Sequence, residues 1–153
     1  MKDYLAYRPV QLLIDAQVLR SIRNQVREHM TNNQKFIADK DQVTWFYSED
    51  RDENIKAYLI YNIYHACVGY GILSKRVIGA DSSERWWGSI AVLPEFQRQG
   101  YGTTIYKMLR KLASAWTSEI YLEIFSDNIG SLRAASKAGY QFINANDKTI
   151  TMK

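Results

Sequence analysis

The chain has 153 residues, the size of one ordinary domain, so a single unit over residues 1–153 is expected. Hydrophobic residues at 46% and charged residues at 24% exclude wholesale disorder, and a single cysteine, Cys67, excludes a disulfide framework and a Cys-rich zinc site. The 20 basic against 16 acidic residues give +4, without the clustered Lys/Arg run that would point to nucleic acid, so no nucleic-acid partner is expected. The opening stretch MKDYLAYRPVQLLIDAQ lacks a long apolar run ending in small residues, so no signal peptide and a cytoplasmic location are expected.

Tyr4–Val10 reads as a first strand. Ile14, Val18, Ile22, Val26 and Met30 recur every fourth residue and predict a long helix, which Arg20, Arg23 and Arg27 share on another side. Asp39 or Asp41 is expected to cap a shorter helix carrying Val43, Trp45 and Phe46. Ala57–Ser74 is uncharged, but Asn62, His65, two glycines and several tyrosines interrupt it. Its aromatic and β-branched content therefore favours a hairpin, Ile55–Ile63 with Ala66–Arg76, over a membrane span. A turn at Gly79–Ser83 leads to a strand over Arg85–Leu93, stopped by Pro94. Ile105, Met108, Leu109, Leu112 and Trp116 mark a helix from about Gly102, and Ile120–Phe125 a short strand. Asp127 or Asn128 caps a last helix that Gly139 ends, and Gln141–Asn144 with Lys148–Met152 form a final hairpin. The order β-α-α-β-β-β-α-β-α-β-β argues α/β or α+β, with one sheet covered by helices.

The most informative segment runs from Ser89 through Gln97-Arg98-Gln99-Gly100-Tyr101-Gly102 directly into a helix. A strand, a glycine loop and a helix N-terminus make a site for an anion, because glycine lets backbone come close and first-turn N–H groups point outward. A tight connection that merely turns the chain would use the same glycines. This segment resembles the Q/R-x-x-G-x-G/A signature of the GCN5-related N-acetyltransferase (GNAT) superfamily, and the preceding Val92-Leu93-Pro94-Glu95 looks similar to it too. Asn128-x-x-Ser131 with Lys137-Ala-Gly139-Tyr140 resembles the second motif of that family, and the element order agrees over essentially the whole chain. The resemblance implies a mixed sheet with two strands splayed apart to admit acetyl-CoA as co-substrate, no metal, and direct attack of a primary amine on the thioester.

Carried over position by position, the resemblance implies that backbone from Gln97, Arg98, Gln99, Gly100, Tyr101, Gly102 and Thr103 holds the pyrophosphate. Backbone at Ile90 and Val92 would pair with the pantetheine arm, with the Val92 N–H as oxyanion donor. Asn128 and Ser131 would lie beside that arm, and a helix cap is the plain alternative for Asn128. Many family members carry a tyrosine four residues before the glycine of the second motif as general acid. Here that position is Ala135, which has no proton to give.

An attacking amine must be neutral, so a base is needed. Glu123, in a Leu-Glu-Ile segment resembling the Leu-Glu-Val of ribosomal-protein acetyltransferases, is the first candidate; Glu84 is the second. By alternation Glu123 shares a strand face with Tyr121 and Phe125, and a solvated carboxylate is the plain alternative. His29, His65 and Cys67 fall outside both motifs and read as ordinary helix, hairpin and packing residues. Arg20, Arg23 and Arg27 lie within about 60° of one another on an ideal helix and suit a phosphate-bearing acceptor, or form a solvated face. Ile22–Met30 followed by Asp41–Phe46 is similar to acetyltransferases of nucleotide-linked amino sugars. The expectation is an N-acetyltransferase of a small-molecule amine, as monomer or homodimer, without membrane partner. A non-catalytic acyl-CoA sensor and an acetyltransferase of protein amines stay open.

Overall fold

The computed structural model describes residues 4–31, 33–77 and 83–153, so the expected turn at Gly79–Ser83 lies, Ser83 apart, outside the described residues. Its strands are β1 (Ala6–Pro9), β2 (Ile55–Tyr61), β3 (Cys67–Val77), β4 (Glu84–Val92), β5 (Tyr121–Phe125), β6 (Phe142–Ala145) and β7 (Thr149–Met152). They form one sheet in the order β1-β2-β3-β4-β5-β7-β6, in which only β4 and β5 run parallel. The helices are α1 (Leu13–Val26), α2 (Asp39–Phe46), α3 (Glu49–Asn54), α4 (Tyr101–Ala113) and α5 (Ile129–Lys137). This is the mixed, helix-covered sheet that the sequence predicts, with one helix added.

Both faces of the sheet are buried, and strand alternation sorts the side chains between them. On one face Leu19, Ile22 and Val26 of α1 pack with Leu59, Tyr70 and Ala91. On the other, Leu109, Ala135 and Tyr140 pack with Leu73, Leu122 and Ile124. Leu19, Leu59, Leu73 and Leu109 are fully buried, and each contributes about 1.5–3 kcal/mol relative to an exposed leucine.

The departures from expectation have local causes. Ile14 is 65% exposed, while Asp15, Ala16, Leu19, Ile22 and Val26 form the buried stripe of α1. A spacing of four drifts about 40° per step on a 3.6-residue helix, so Ile14 and Val26 fall about 120° apart and cannot share a face. Asp15 starts that helix: its carboxylate accepts from Leu12 N–H at 3.1 Å and pairs with Arg8 Nε at 2.9 Å. The N-cap of α2 is Ala38, not Asp39 or Asp41, which sit in the first turn where their charge suits the helix dipole. Helix α3, Glu-Asp-Arg-Asp-Glu-Asn, escapes a hydrophobic-period reading because it has no apolar residue. Ser48 caps it, accepting from Arg51 N–H at 3.3 Å, over a first turn rich in acid. Trp116 lies past the end of α4, 42% exposed, against Trp86.

The expected hairpin turn and the last helix are found. Asn62 Oδ1 accepts from Tyr64 and Ala66 N–H at 3.0 and 3.1 Å, closing the β2–β3 hairpin. Asn128 Oδ1 caps α5 by accepting from Ser131 N–H at 3.2 Å, and Gly139 at φ 96° follows the end of that helix. Among the described residues, no helix is long and apolar enough to cross a membrane.

Candidate active site

The sheet comes apart in the middle. Strands β4 and β5 pair only at Trp87–Tyr121 and Gly88–Leu122, although β4 runs on to Val92 and β5 to Phe125. Strand β4 stays zipped to β3 along its whole length. Leu93 gives its N–H to Val68 O at 2.8 Å, and alternate residues of an antiparallel strand face the same neighbour. Ile90 and Val92 therefore turn their N–H and C=O toward the gap. The Val92 C=O accepts there from Gln97 Nε2 at 2.9 Å, which folds the following loop back over the open edge.

The gap broadens into a cleft of about 1190 Å³. Every residue that the sequence reading assigns to the cofactor lines this cleft except Gln99, which is exposed outside it. Gly100 is the N-cap of α4 at φ 85°, a left-handed conformation that favours glycine, and an added Cβ would meet nothing within 4 Å. Its backbone thus fronts open space. Thr104 N–H reaches back to Gly100 C=O at 3.3 Å, so Gly102 and Thr103, ahead of it, have no carbonyl one turn back. A Cβ on Gly102 would stand 3.3 Å from Ala134 Cβ, so glycine there lets α4 close on α5. Arg98, held at φ 63°, Arg133 and Lys137 add positive charge to the cleft. An extended molecule with amides along its middle and phosphates at one end fits this donor set: an open strand edge, then a helix N-terminus with cations.

A smaller cavity, about 220 Å³, lies on the α1 face, between α1, α2, α3 and the strands β3 to β5. Arg23, Trp45, Asn54, Tyr70 and Arg76 line it, and it shares Thr31, Gly88, Ser89 and Glu123 with the cleft. Glu123 therefore stands where the two spaces meet. Burial lowers the pKa of the Arg76 guanidinium, and the nearby Glu123 carboxylate opposes that only in part. Burial raises the pKa of Tyr70, against a smaller opposing effect of Arg23 beside it; its hydroxyl donates to Met30 Sδ at 2.9 Å.

The other candidates are placed elsewhere. Glu84 lines neither space; its carboxylate is 3.9 Å from Lys75 Nζ, on the sheet face opposite Glu123. The three arginines of the first helix do not converge. Arg20 donates from Nε to Gln17 Oε1 at 2.8 Å and from a terminal nitrogen to Ile37 O at 3.3 Å, while Arg27 begins a 3-10 turn and its guanidinium lies 5.8 Å from the Phe36 ring centroid. Only Arg23 reaches the cavity. Arg76 joins it from β3, a residue that the sequence reading passes over. Alternation puts Arg76 on the Tyr70 face, but only the packing of α1 on that face brings Arg23 to meet it.

Ala135, which has no proton to give, is fully buried and does not line the cleft. The cleft instead holds Tyr106, whose hydroxyl lies 2.6 Å from Ser131 Oγ and whose pKa is pushed up to about 12 by burial. His29 lines the cleft too, 3.6 Å from the Glu28 carboxylate. Among the described residues, no three His, Cys, Asp or Glu side chains come together as a metal site.

Comparison with known proteins bears on this geometry. The model of the Acetyltransferase (GNAT) family matches residues 17–140. Similar solved structures include spermidine N-acetyltransferase from Vibrio cholerae in complex with CoA and spermine, 14% identical over 97% of this chain and 93% of that one, with a TM-score of 0.77. The ribosomal-protein-alanine N-acetyltransferase from Brucella melitensis is 16% identical over 96% and 97%, with a TM-score of 0.76. YncA from Salmonella typhimurium, with its cofactor acetyl-CoA, is 16% identical over 97% and 91%, with a TM-score of 0.77. These likenesses are of fold. Comparison with curated protein sequences returned no match.

Proposed function

The chain belongs to the acetyltransferase (GNAT) family, as an acetyl-CoA-dependent N-acetyltransferase, and from that premise we propose that it acetylates the primary amine of a small molecule, with Glu123 as general base. One observation carries this reading: Glu123 lines both the cleft and the small cavity, so it stands at the junction where a group from one space would meet a group from the other. Acetyl-CoA supplies the activated acetyl thioester. The chain supplies everything else.

Amides of Gly102 and Thr103, with Arg98, hold the pyrophosphate at the α4 N-terminus. The Ile90 and Val92 edge takes the pantetheine arm as an added strand, and the Val92 N–H donates to the carbonyl oxygen as negative charge develops there. Glu123 accepts the proton of the acceptor ammonium, directly or through one water, so that a neutral amine attacks. At the sulfur, Ser131 offers a hydroxyl held by Tyr106. As the tetrahedral adduct collapses, the C–S bond breaks and the Ser131 hydroxyl, oriented by Tyr106, hydrogen-bonds the departing thiolate, which takes up through water the second proton lost by the acylated nitrogen.

The test is thiol release from acetyl-CoA with a panel of amino sugars, nucleotide-linked amino sugars, polyamines, aminoglycosides and peptide N-termini. Turnover with a small amine, and none with peptides, is expected. CoA that raises the melting temperature without thiol release from any amine would favour the sensor reading instead.

A further inference from the structure

The small cavity has a polar character that Glu123 alone does not account for. Among the described residues, three buried side-chain nitrogens have no hydrogen-bond partner: Arg23 Nε, Arg76 Nε and Trp87 Nε1. Two of the three belong to guanidinium groups that line this one cavity, from α1 and from β3. A buried donor on a cationic group is costly when unpaired, and the edge of a guanidinium that carries Nε is one of those that takes a carboxylate or phosphate through two parallel bonds. The cavity charges are Arg23, Lys75 and Arg76 against Asp50 and Glu123. Lys75 lies 3.9 Å from Glu84, and Asp50 Oδ1 accepts from Asn54 Nδ2 at 2.7 Å; the Arg76 guanidinium lies 5.4 Å from the Trp87 ring centroid and Arg23 meets the Tyr70 hydroxyl, so it is the two Nε atoms that stay without a partner. Glu123 offsets the effect of burial on Arg76 only in part.

We infer that Arg23 and Arg76 form an oxyanion anchor in the acceptor cavity, so that the substrate is a small primary amine bearing a carboxylate or phosphate group. This rests on the acetyltransferase reading, which places the amine near Glu123. The anchor and the base then grip opposite ends of one molecule, the anion between the two guanidiniums and the amine at the mouth of the cleft. At about 220 Å³ the cavity is below the roughly 300–1,000 Å³ of pockets for drug-sized ligands, so the acceptor is a small metabolite. Trp45 and Ile72, on the same lining, give its carbon body an apolar wall.

Matched pairs of amines test this anchor: an amino acid against its amide, and glucosamine 6-phosphate against glucosamine. Each is assayed by thiol release from acetyl-CoA, with inorganic phosphate and succinate as thermal-shift probes that require no turnover. In at least one pair the anionic member should exceed its neutral partner tenfold or more in kcat/KM, and the favoured pair identifies the oxyanion as carboxylate or phosphate. Arg76→Gln and Arg23→Gln should each raise KM for that substrate at least tenfold, with CoA affinity unchanged, and should abolish the thermal shift by the matching probe. Arg76→Lys, which keeps the charge but loses the paired geometry, should recover only part of it. Equal efficiency within both pairs, or probe shifts unaltered in both glutamine variants, would overturn the anchor while leaving the acetyltransferase reading intact. Arginine-dependent shifts without thiol release from any amine would do the reverse, supporting the anchor and overturning the proposed reaction.

Discussion

On the cleft side of Glu123, the groups offered to a ligand are mainly backbone: the β4 edge at Ile90 and Val92, and the first amides of α4. On the cavity side they are side chains, Arg23, Trp45, Tyr70 and Arg76, from α1, α2 and β3. A backbone site asks little of its residues beyond glycine where the chain must turn or approach closely, and it fits one cofactor whatever the second substrate is. A side-chain site can change residue by residue while the sheet stays as it is. On the proposed assignment, the cleft serves what is common to an acetyl-CoA reaction and the cavity what is particular to one acceptor.

The largest expected effect strikes the residue that both halves share. Glu123→Gln should lower turnover by roughly 10²-fold or more at neutral pH, and the deficit should shrink as pH rises and more of the amine is already neutral. A rate within twofold of wild type across that range would return Glu123 to a solvated strand face.

A second test probes the packed wall of the cleft through pH. The pKa of Tyr106 is about 12 in the folded chain and about 10 when unfolded, so between those values the folded state holds a proton that the unfolded state has lost. Stability is complete below pH 10 and falls as pH rises toward 12, by about 2–3 kcal/mol from this group. Tyr106→Phe should remove that part of the alkaline loss, at a fixed cost near 1 kcal/mol for the bond to Ser131. Denaturant titrations from pH 9 to 12 measure both, and an unchanged slope would show that Tyr106 does not carry the effect.

On the backbone side, Gly100→Val forces a branched side chain into φ 85°, a strain of about 1–2 kcal/mol, at a point that fronts the cleft. CoA affinity should drop tenfold or more in a protein that still folds, as read by the thermal shift with CoA. Retained affinity would mean that this loop does not hold the phosphates. The smallest effect is expected at Arg27, exposed beside Phe36 and outside the cavity. Arg27→Ala should change KM for the acceptor by less than twofold. A tenfold rise would restore the three-arginine face that the sequence suggests.

The sequence by itself determined every element but α3 and pointed to the backbone half of the candidate site. Strand, hairpin and helix periods are local, and so are the Asn62 turn, the Asn128 cap and the glycine loop before α4, because each depends on residues within a few positions of one another. Charge on the first helix was legible only as a face. Which arginine of that face turns inward depended on where α1 rests on the sheet, a matter fixed by Leu19, Ile22 and Val26 against Leu59, Tyr70 and Ala91, not by the arginines. Arg76, more than 50 positions from Arg23 in the chain, enters the same cavity only because β3 carries it beneath α1. Tyr106 and Ser131 meet for the same reason, through the close packing of α4 on α5. Tertiary structure decided these pairs, since their energies lie in contacts between segments whose separation no local pattern encodes.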